Sequence, residues 1–194
     1  MNIAVFASHG GSDLQAIIDA CKSGCLDAKV SVVISNNSKS MALKRAETNG
    51  IPAFHFSQKV IEDPQMLEDA ILNTLKEHDV HIIFLAGYLK KLGSCVLQAF
   101  ENRVFNIHPS LLPKYGGKGM YGINVHEAVI KAGDAETGIT IHRVDNCYDT
   151  GAIIAQRRVP VFEGDTAEVL AARVLKQEHI FIVTVLAEII SGKI

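Results

Sequence analysis

Short apolar runs alternate with longer stretches of helical spacing through the first half of this chain, and no other feature limits its fold as strongly. Residues 2–8, 30–35 and 81–86 each hold three or more consecutive aliphatic or aromatic residues, as strands buried on both faces do. Between them, residues 12–22 place Leu14, Ile17 and Ile18 at helical intervals, and residues 40–49 make a second helical stretch closed by Gly50 and Pro52. A short strand is read at 53–56, and Pro64 opens a helix reaching about His78. Strands separated by helices in this order close through right-handed crossovers into a parallel sheet. The amino-terminal half is therefore Rossmann-like, with the layout of a mononucleotide-binding unit.

Past Gly87 the pattern changes. A short helix around 94–100 leads into a strand at 103–108, and residues 114–124 hold four glycines without periodicity, as a mobile loop over a ligand does. Residues 126–132 read as a helix. Residues 136–145 and 152–161 read as strands, and the six-residue connection 146–151 suits an antiparallel pair. Asp165 and Glu168 resemble a capping box that opens a long last helix ending at Gly192. The fold class that follows is α/β: an open, mixed, mostly parallel sheet with helices on both faces. A length of 194 residues suits one domain with a substantial core.

A net charge of −2 without a basic block argues against a nucleic-acid partner. No basic leader precedes the first strand, and the longest apolar stretch, 180–190, is interrupted by Thr184 and Glu188 and is too short to span a bilayer. A cytoplasmic protein without a membrane partner is expected. Cys21, Cys25, Cys95 and Cys147 lack CxxC pairing, so free thiols are expected rather than a disulfide framework, and no metal site is predicted.

Several local patterns could carry chemistry. In Phe105-Asn106-Ile107-His108-Pro109, Asn106 and His108 project from one face of a strand that Pro109 terminates. An amide that can donate to a developing oxyanion then lies beside an imidazole that moves protons near neutral pH. Two polar residues marking a strand end is the alternative. His9-Gly10-Gly11-Ser12-Asp13 follows the first strand and opens a helix, a place where main-chain amides bind phosphate. Ser12 and Gln15 also satisfy a helix-capping pattern, and the charge of Asp13 opposes an anion. Asp149-Thr150-Gly151 is a turn signal; an aspartic protease would need two such motifs in an all-β frame. His142 is read either as a satisfied strand histidine or as support for a carboxylate. Glu178 and its neighbours Gln177 and His179 either face water or hydrogen-bond a ligand amine.

Taken in order, Gly11-Ser12-Asp13-Leu14-Gln15, Leu85-Ala86-Gly87-Tyr88, Asn106-Ile107-His108-Pro109-Ser110-Leu111-Leu112-Pro113, Thr140-Ile141-His142, Asp149-Thr150-Gly151 and Gln177-Glu178-His179 resemble the phosphoribosylglycinamide formyltransferase family, within the folate-dependent formyltransferase superfamily. The resemblance spans nearly the whole chain. It implies a single formyltransferase domain over 1–194, with about 1–100 as the nucleotide-phosphate-binding half and about 101–194 as the catalytic and folate-binding half. It further implies catalysis by Asn106, His108 and Asp149, phosphate binding at Gly11, Ser12 and Asp13, and a hold on the substrate amine by Glu178. The folate would lie between Tyr88, Leu89, Lys90 and Leu92 on one side and the loop from Asp145 to Asp149 on the other, with His142 and Thr140 in support. The implied cosubstrate is 10-formyltetrahydrofolate, the acceptor is glycinamide ribonucleotide, and the assembly is a monomer or homodimer. From the residue chemistry, Asn106 and protonated His108 can hold the alkoxide formed on amine attack, and Asp149 would position a water or relay the proton. Asp13 stands where the family usually has asparagine, Lys90 where arginine is common, and residues 116–122 resemble an insertion.

Two other readings stay open. A 10-formyltetrahydrofolate hydrolase usually carries an extra amino-terminal domain, and a methionyl-tRNA formyltransferase an extra carboxyl-terminal one; the strand order here begins at Met1 and the chain ends on its last helix. A noncatalytic nucleotide- or folate-binding module would need no proton relay.

Overall fold

A computed structural model describes residues 1–194. Seven strands form one sheet: β1 (Asn2–Phe6), β2 (Lys29–Ser35), β3 (Ala53–His55), β4 (Ile82–Leu85), β5 (Val104–His108), β6 (Glu136–Arg143) and β7 (Ile153–Pro160). Six helices connect or flank them: α1 (Ser12–Lys22), α2 (Met41–Thr48), α3 (Pro64–Glu77), α4 (Ser94–Ala99), α5 (Ile123–Ala132) and α6 (Ala167–Ile190). The spatial order is β3-β2-β1-β4-β5-β6-β7. The first five strands are parallel, whereas β5–β6 and β6–β7 are antiparallel. The mixed, mostly parallel open sheet read from the pattern is the one formed.

The sheet divides the core in two. Ile3, Val5, Phe84, Phe105, Ile107, Ile139 and Ile141 face α1, α2, α5 and α6 in the larger cluster. Ala4, Phe6, Ile83, Leu85 and Val104 face α3 and α4 in the smaller one. Side chains alternate across a strand, so burial of Phe105 and Ile107 on the first face sends Asn106 and His108 to the second. Burying one such side chain stabilises by about 1.5–3 kcal/mol, which fixes the direction of its polar neighbours as well.

Local capping differs from the sequence reading at two helices. Ser12 does not cap α1: Gly11 takes the N-cap in a left-handed conformation, φ 66°, and no side chain bonds the first turn. Gln15 instead donates to Asp19 at 2.8 Å and accepts from Arg45 at 3.2 Å. At α6 the cap is Thr166, which accepts from the Val169 N–H, because Asp165 is held by the Phe162 N–H and by Arg173. The segment read as a loop over 114–124 ends sooner, since α5 begins at Ile123. No helix is long and apolar enough to cross a membrane.

Candidate active site

Strands β1, β2 and β3 progress outward in one direction, then the chain returns to lay β4 against the other side of β1. Connections diverge at such a switch point and leave a crevice beyond the strands' carboxyl ends. Here the crevice is a cavity of about 730 Å³, walled by the loops after β1, β4 and β5, the 117–124 segment, the β6–β7 connection and α6. Every expected site residue except Thr140 lines it: Asn106, His108, Asp149, Gly11, Ser12, Asp13, Glu178, Tyr88, Leu89, Lys90, Leu92, Asp145 and His142. Thr140 lies fully buried behind, donating to the Ser110 carbonyl at 2.7 Å and accepting from the Leu112 N–H at 3.0 Å. It ties down the segment just after His108.

The antiparallel register places Asn106 opposite His142 and His108 opposite Thr140. Opposed residues share a face, and Asn106 Nδ2 lies 3.0 Å from His142 Nε2. His142 Nδ1 is 2.7 Å from the Arg143 carbonyl, which only accepts, so Nδ1 carries the hydrogen. In the neutral ring Nε2 then accepts one Asn106 N–H, and the second N–H of that amide remains for a ligand. Asp149 arrives from the β6–β7 connection with φ 58°, a left-handed conformation uncommon outside glycine. Its Oδ1 is 3.7 Å from His108 Nδ1 and 3.5 Å from His142 Nε2. Gly151 lets this connection close, since a Cβ there would collide with the Arg143 carbonyl.

His108 Nε2 donates to the Tyr115 carbonyl at 2.7 Å, which leaves the Nδ1 lone pair facing Asp149. Burial lowers the His108 pKa below 6.5, against the raising effects of Asp149 and the Tyr115 carbonyl. The unliganded ring is therefore neutral at pH 7, a refinement of the protonated form read from sequence. Burial pushes the Asp149 carboxyl up, but the neighbouring His142 and His108 rings and the Gly117 N–H together hold it below its ordinary value. One group is a poised proton acceptor and the other a fixed anion.

At the opposite end, Gly11 must be glycine twice over: its φ is positive, and a Cβ would sit 2.9 Å from Ala42 Cα. The first-turn amides of α1 border the cavity without a side-chain cap, as anion-binding helix starts do. Asp13 sits beside them with its carboxylate turned toward α6, its Oδ1 3.6 Å from His179 Nε2. Burial raises the Asp13 pKa to about 6, with His179 opposing. Burial and then repulsion from Asp13 raise Glu178 to about 8, with no hydrogen bond to offset them.

The third wall is formed by Tyr88–Leu92 and the 145–149 connection. Tyr88 stacks edge-on against Phe6 at 5.2 Å, and burial pushes its hydroxyl up to about 12. Lys91 crosses between the two segments, donating to the Asn146 carbonyl at 2.8 Å with its ammonium 4.8 Å from the Tyr148 ring centroid. Lys90 and Asp145 are exposed at the mouth, and the Asp145 carboxylate is occupied by the Cys147 N–H and the Thr150 hydroxyl. Leu92 is buried and Leu89 half-buried.

Three contributors were not legible in the sequence. His126 lies buried on the cavity wall with its pKa lowered to about 4 by burial and by His108. The Tyr115 carbonyl and Gly117 N–H act through main chain, which residue identity does not encode. His126 had one weak signal, a lone histidine among the apolar positions Val125 and Val129 of a helix. No group of three or more His, Cys, Asp or Glu is arranged to hold a metal ion.

Comparison with known proteins gives a consistent set of matches. The formyl transferase family matches residues 1–186. The chloroplastic phosphoribosylglycinamide formyltransferase of Vigna unguiculata is 49% identical over 91% of this chain, and the chain spans 57% of that relative's length. The phosphoribosylglycinamide formyltransferase of Haemophilus influenzae is 43% identical over 91% of this chain and 81% of its own. The crystal structure of glycinamide ribonucleotide transformylase 1 from Symbiobacterium toebii superposes with a TM-score of 0.91 at 35% identity, covering 99% of this chain and 88% of that one.

Proposed function

Because the chain belongs to the formyl transferase family, we propose that it transfers the formyl group of 10-formyltetrahydrofolate to the amine of 5-phosphoribosylglycinamide, a step of de novo purine synthesis. One observation carries the reading to this chain: Asn106, His108 and Asp149 converge at the sheet's switch point inside a cavity of about 730 Å³, a volume usual for small-molecule sites.

The neutral amine attacks the formyl carbon, forming the new C–N bond as the carbonyl electrons move onto oxygen. The free N–H of Asn106 lies ready for that alkoxide. His108 Nδ1 takes the proton of the attacking nitrogen, and the imidazolium so formed donates to the same oxygen. Asp149 steadies that imidazolium and relays the proton to the folate nitrogen, whose bond to carbon breaks. No covalent intermediate with the protein is needed. The amides of Gly11, Ser12 and Asp13 take the phosphate, and Glu178 takes the amine. The pterin fits between Tyr88–Leu92 and the 145–149 connection, with Lys90 at the mouth for the folate tail. We further read the enzyme as a cytoplasmic monomer or homodimer acting on these small molecules alone. Four unpaired cysteines support a reducing compartment.

The test is one assay with three acceptors: glycinamide ribonucleotide, water alone and initiator tRNA. Rapid consumption of 10-formyltetrahydrofolate is expected only with the first. Equal consumption without the ribonucleotide would sink the reading in favour of a hydrolase.

A further inference from the structure

Two of the catalytic side chains are held by the same short piece of backbone. The Tyr115 carbonyl accepts from His108 Nε2 at 2.7 Å, and two residues on, the Gly117 N–H donates to Asp149 Oδ2 at 2.8 Å. The acceptor and the donor face the two catalytic groups in opposite senses. Gly116 between them permits the approach, since a Cβ there would meet Leu112 Cδ2 at 2.6 Å and Asp149 Cβ at 3.2 Å. Tyr115 itself is left-handed, with φ 58°, a conformation that persists in a non-glycine residue only when its surroundings impose it.

What imposes it lies outside the cavity. The Tyr115 hydroxyl donates to Asp134 Oδ2 at 2.7 Å, and Lys114 Nζ donates to Asp134 Oδ1 at 2.7 Å while its ammonium stands 5.2 Å from the Tyr115 ring centroid. Ser110 closes the turn from below through a 2.6 Å bond to the Lys114 carbonyl. None of Lys114, Tyr115 or Asp134 lines the large cavity. Asp134 follows α5 and precedes β6, so it ties the catalytic loop to the frame that carries His142.

We propose that Tyr115, Asp134 and Lys114 form a brace that positions the reaction's two proton-handling groups: anchored from behind, the 115–117 backbone sets the ring of His108 with its carbonyl and the carboxylate of Asp149 with its N–H. All three are positioning residues, since none touches a reacting atom. The inference rests on the formyl-transfer reading for its kinetic arm but not for its titration arm.

The groups facing His108 are Asp149, His142, His126 and the Tyr115 carbonyl; those facing Asp149 are His108, His142 and the Gly117 N–H. Slackening the loop removes one stabiliser from each charged form. With the burial of both groups unchanged, Asp149 then titrates higher and His108 lower, so their titrations converge.

The experiment compares Asp134→Ala, Asp134→Asn and Tyr115→Phe. Asp134 is a partly exposed side chain, so its variants keep the fold, which circular dichroism and Tm verify. Asp134→Ala and Tyr115→Phe are expected to lower kcat about 10- to 100-fold with KM little changed, the usual effect of misplacing catalytic groups by less than an ångström or so. Asp134→Asn keeps an oxygen for the Tyr115 hydroxyl and is expected to recover most of that loss. Carbon-13 and nitrogen-15 NMR of the unliganded protein reads Asp149 and His108 directly, and convergence of the two titrations in the first two variants supports the brace. Unshifted titrations overturn it, whether or not kcat falls, because general loosening would lower the rate without moving these groups. If wild type does not formylate glycinamide ribonucleotide, the function fails while the NMR result still decides the brace.

Discussion

The two ends of the cavity are built on opposite principles. At one end every side chain proposed for catalysis is already committed: Asn106 to His142, His108 to the Tyr115 carbonyl, Asp149 to the Gly117 N–H. At the other, Asp13 and Glu178 are buried carboxyls raised to about 6 and about 8, and Asp13 Oδ1 and His179 Nε2 have no hydrogen-bond partner. The first end holds its geometry through satisfied hydrogen bonds, at the cost of left-handed backbone at Tyr115 and Asp149. The second keeps polar groups in an environment that disfavours their charge, and a cationic or hydrogen-bonding ligand relieves that cost. In the proposed reaction the chemical end is preorganised, whereas the end assigned to the amine is kept under electrostatic tension.

The comparison breaks most sharply at the preorganised end. Asn106→Ala and Asp149→Asn are each expected to lose on the order of 10²- to 10³-fold in kcat with an unchanged fold, since each removes a group placed where charge develops. Near-wild-type turnover in either purified variant would show that this end is not where the reaction happens.

At the tense end, Glu178→Gln is expected to raise KM for the ribonucleotide about 10-fold or more, the scale of a lost charge-assisted hydrogen bond. The same variant should be more stable in alkali. Folded Glu178 holds its proton up to about 8 against 4.5 for the model group, so between those pH values the folded state binds more protons than the unfolded one and rising pH costs stability. Asp13 adds in the same sense between 3.8 and about 6. Thermal melts from pH 5 to 8.5 are expected to fall more steeply for wild type than for Glu178→Gln. Parallel curves would show that the carboxyl carries no such load.

The smallest effect belongs to the wall between the ends. Lys91→Ala removes an exposed bridge and is expected to raise KM for the folate about 2- to 5-fold with kcat unchanged, as a contact worth less than about 1 kcal/mol does. A change in kcat would mean that the bridge reaches the chemistry.

How much of this was readable from sequence depended on whether period or loop geometry carried the information. Asn106 and His108 follow from two-residue alternation in an apolar strand, and the βα order of the first half follows from hydrophobic spacing. Asp149 does not: its contact with His108 depends on a left-handed turn between antiparallel strands, and only family likeness pointed to it. Ser12 and Gln15 fit a capping pattern but lost to tertiary partners, because Gly11 takes the cap and Arg45 takes Gln15. Asp165 was similarly drawn from the helix end by Arg173, moving the cap one residue to Thr166. Main-chain donors such as Gly117 leave no mark on residue identity at all.

The alternation along β5 has a consequence for fidelity. Phe105 and Ile107 pack into the larger core cluster on one face, so a strand paired one residue out of register would turn them to the other face and put Asn106 and His108 in that apolar cluster instead. That slip would leave an amide and an imidazole unpaired in the apolar core at about 1–3 kcal/mol each, making the misaligned form on the order of 10- to 10⁴-fold rarer. Core burial thus proofreads the active site: a molecule that has folded stably has, by the same act, aimed its amide and imidazole.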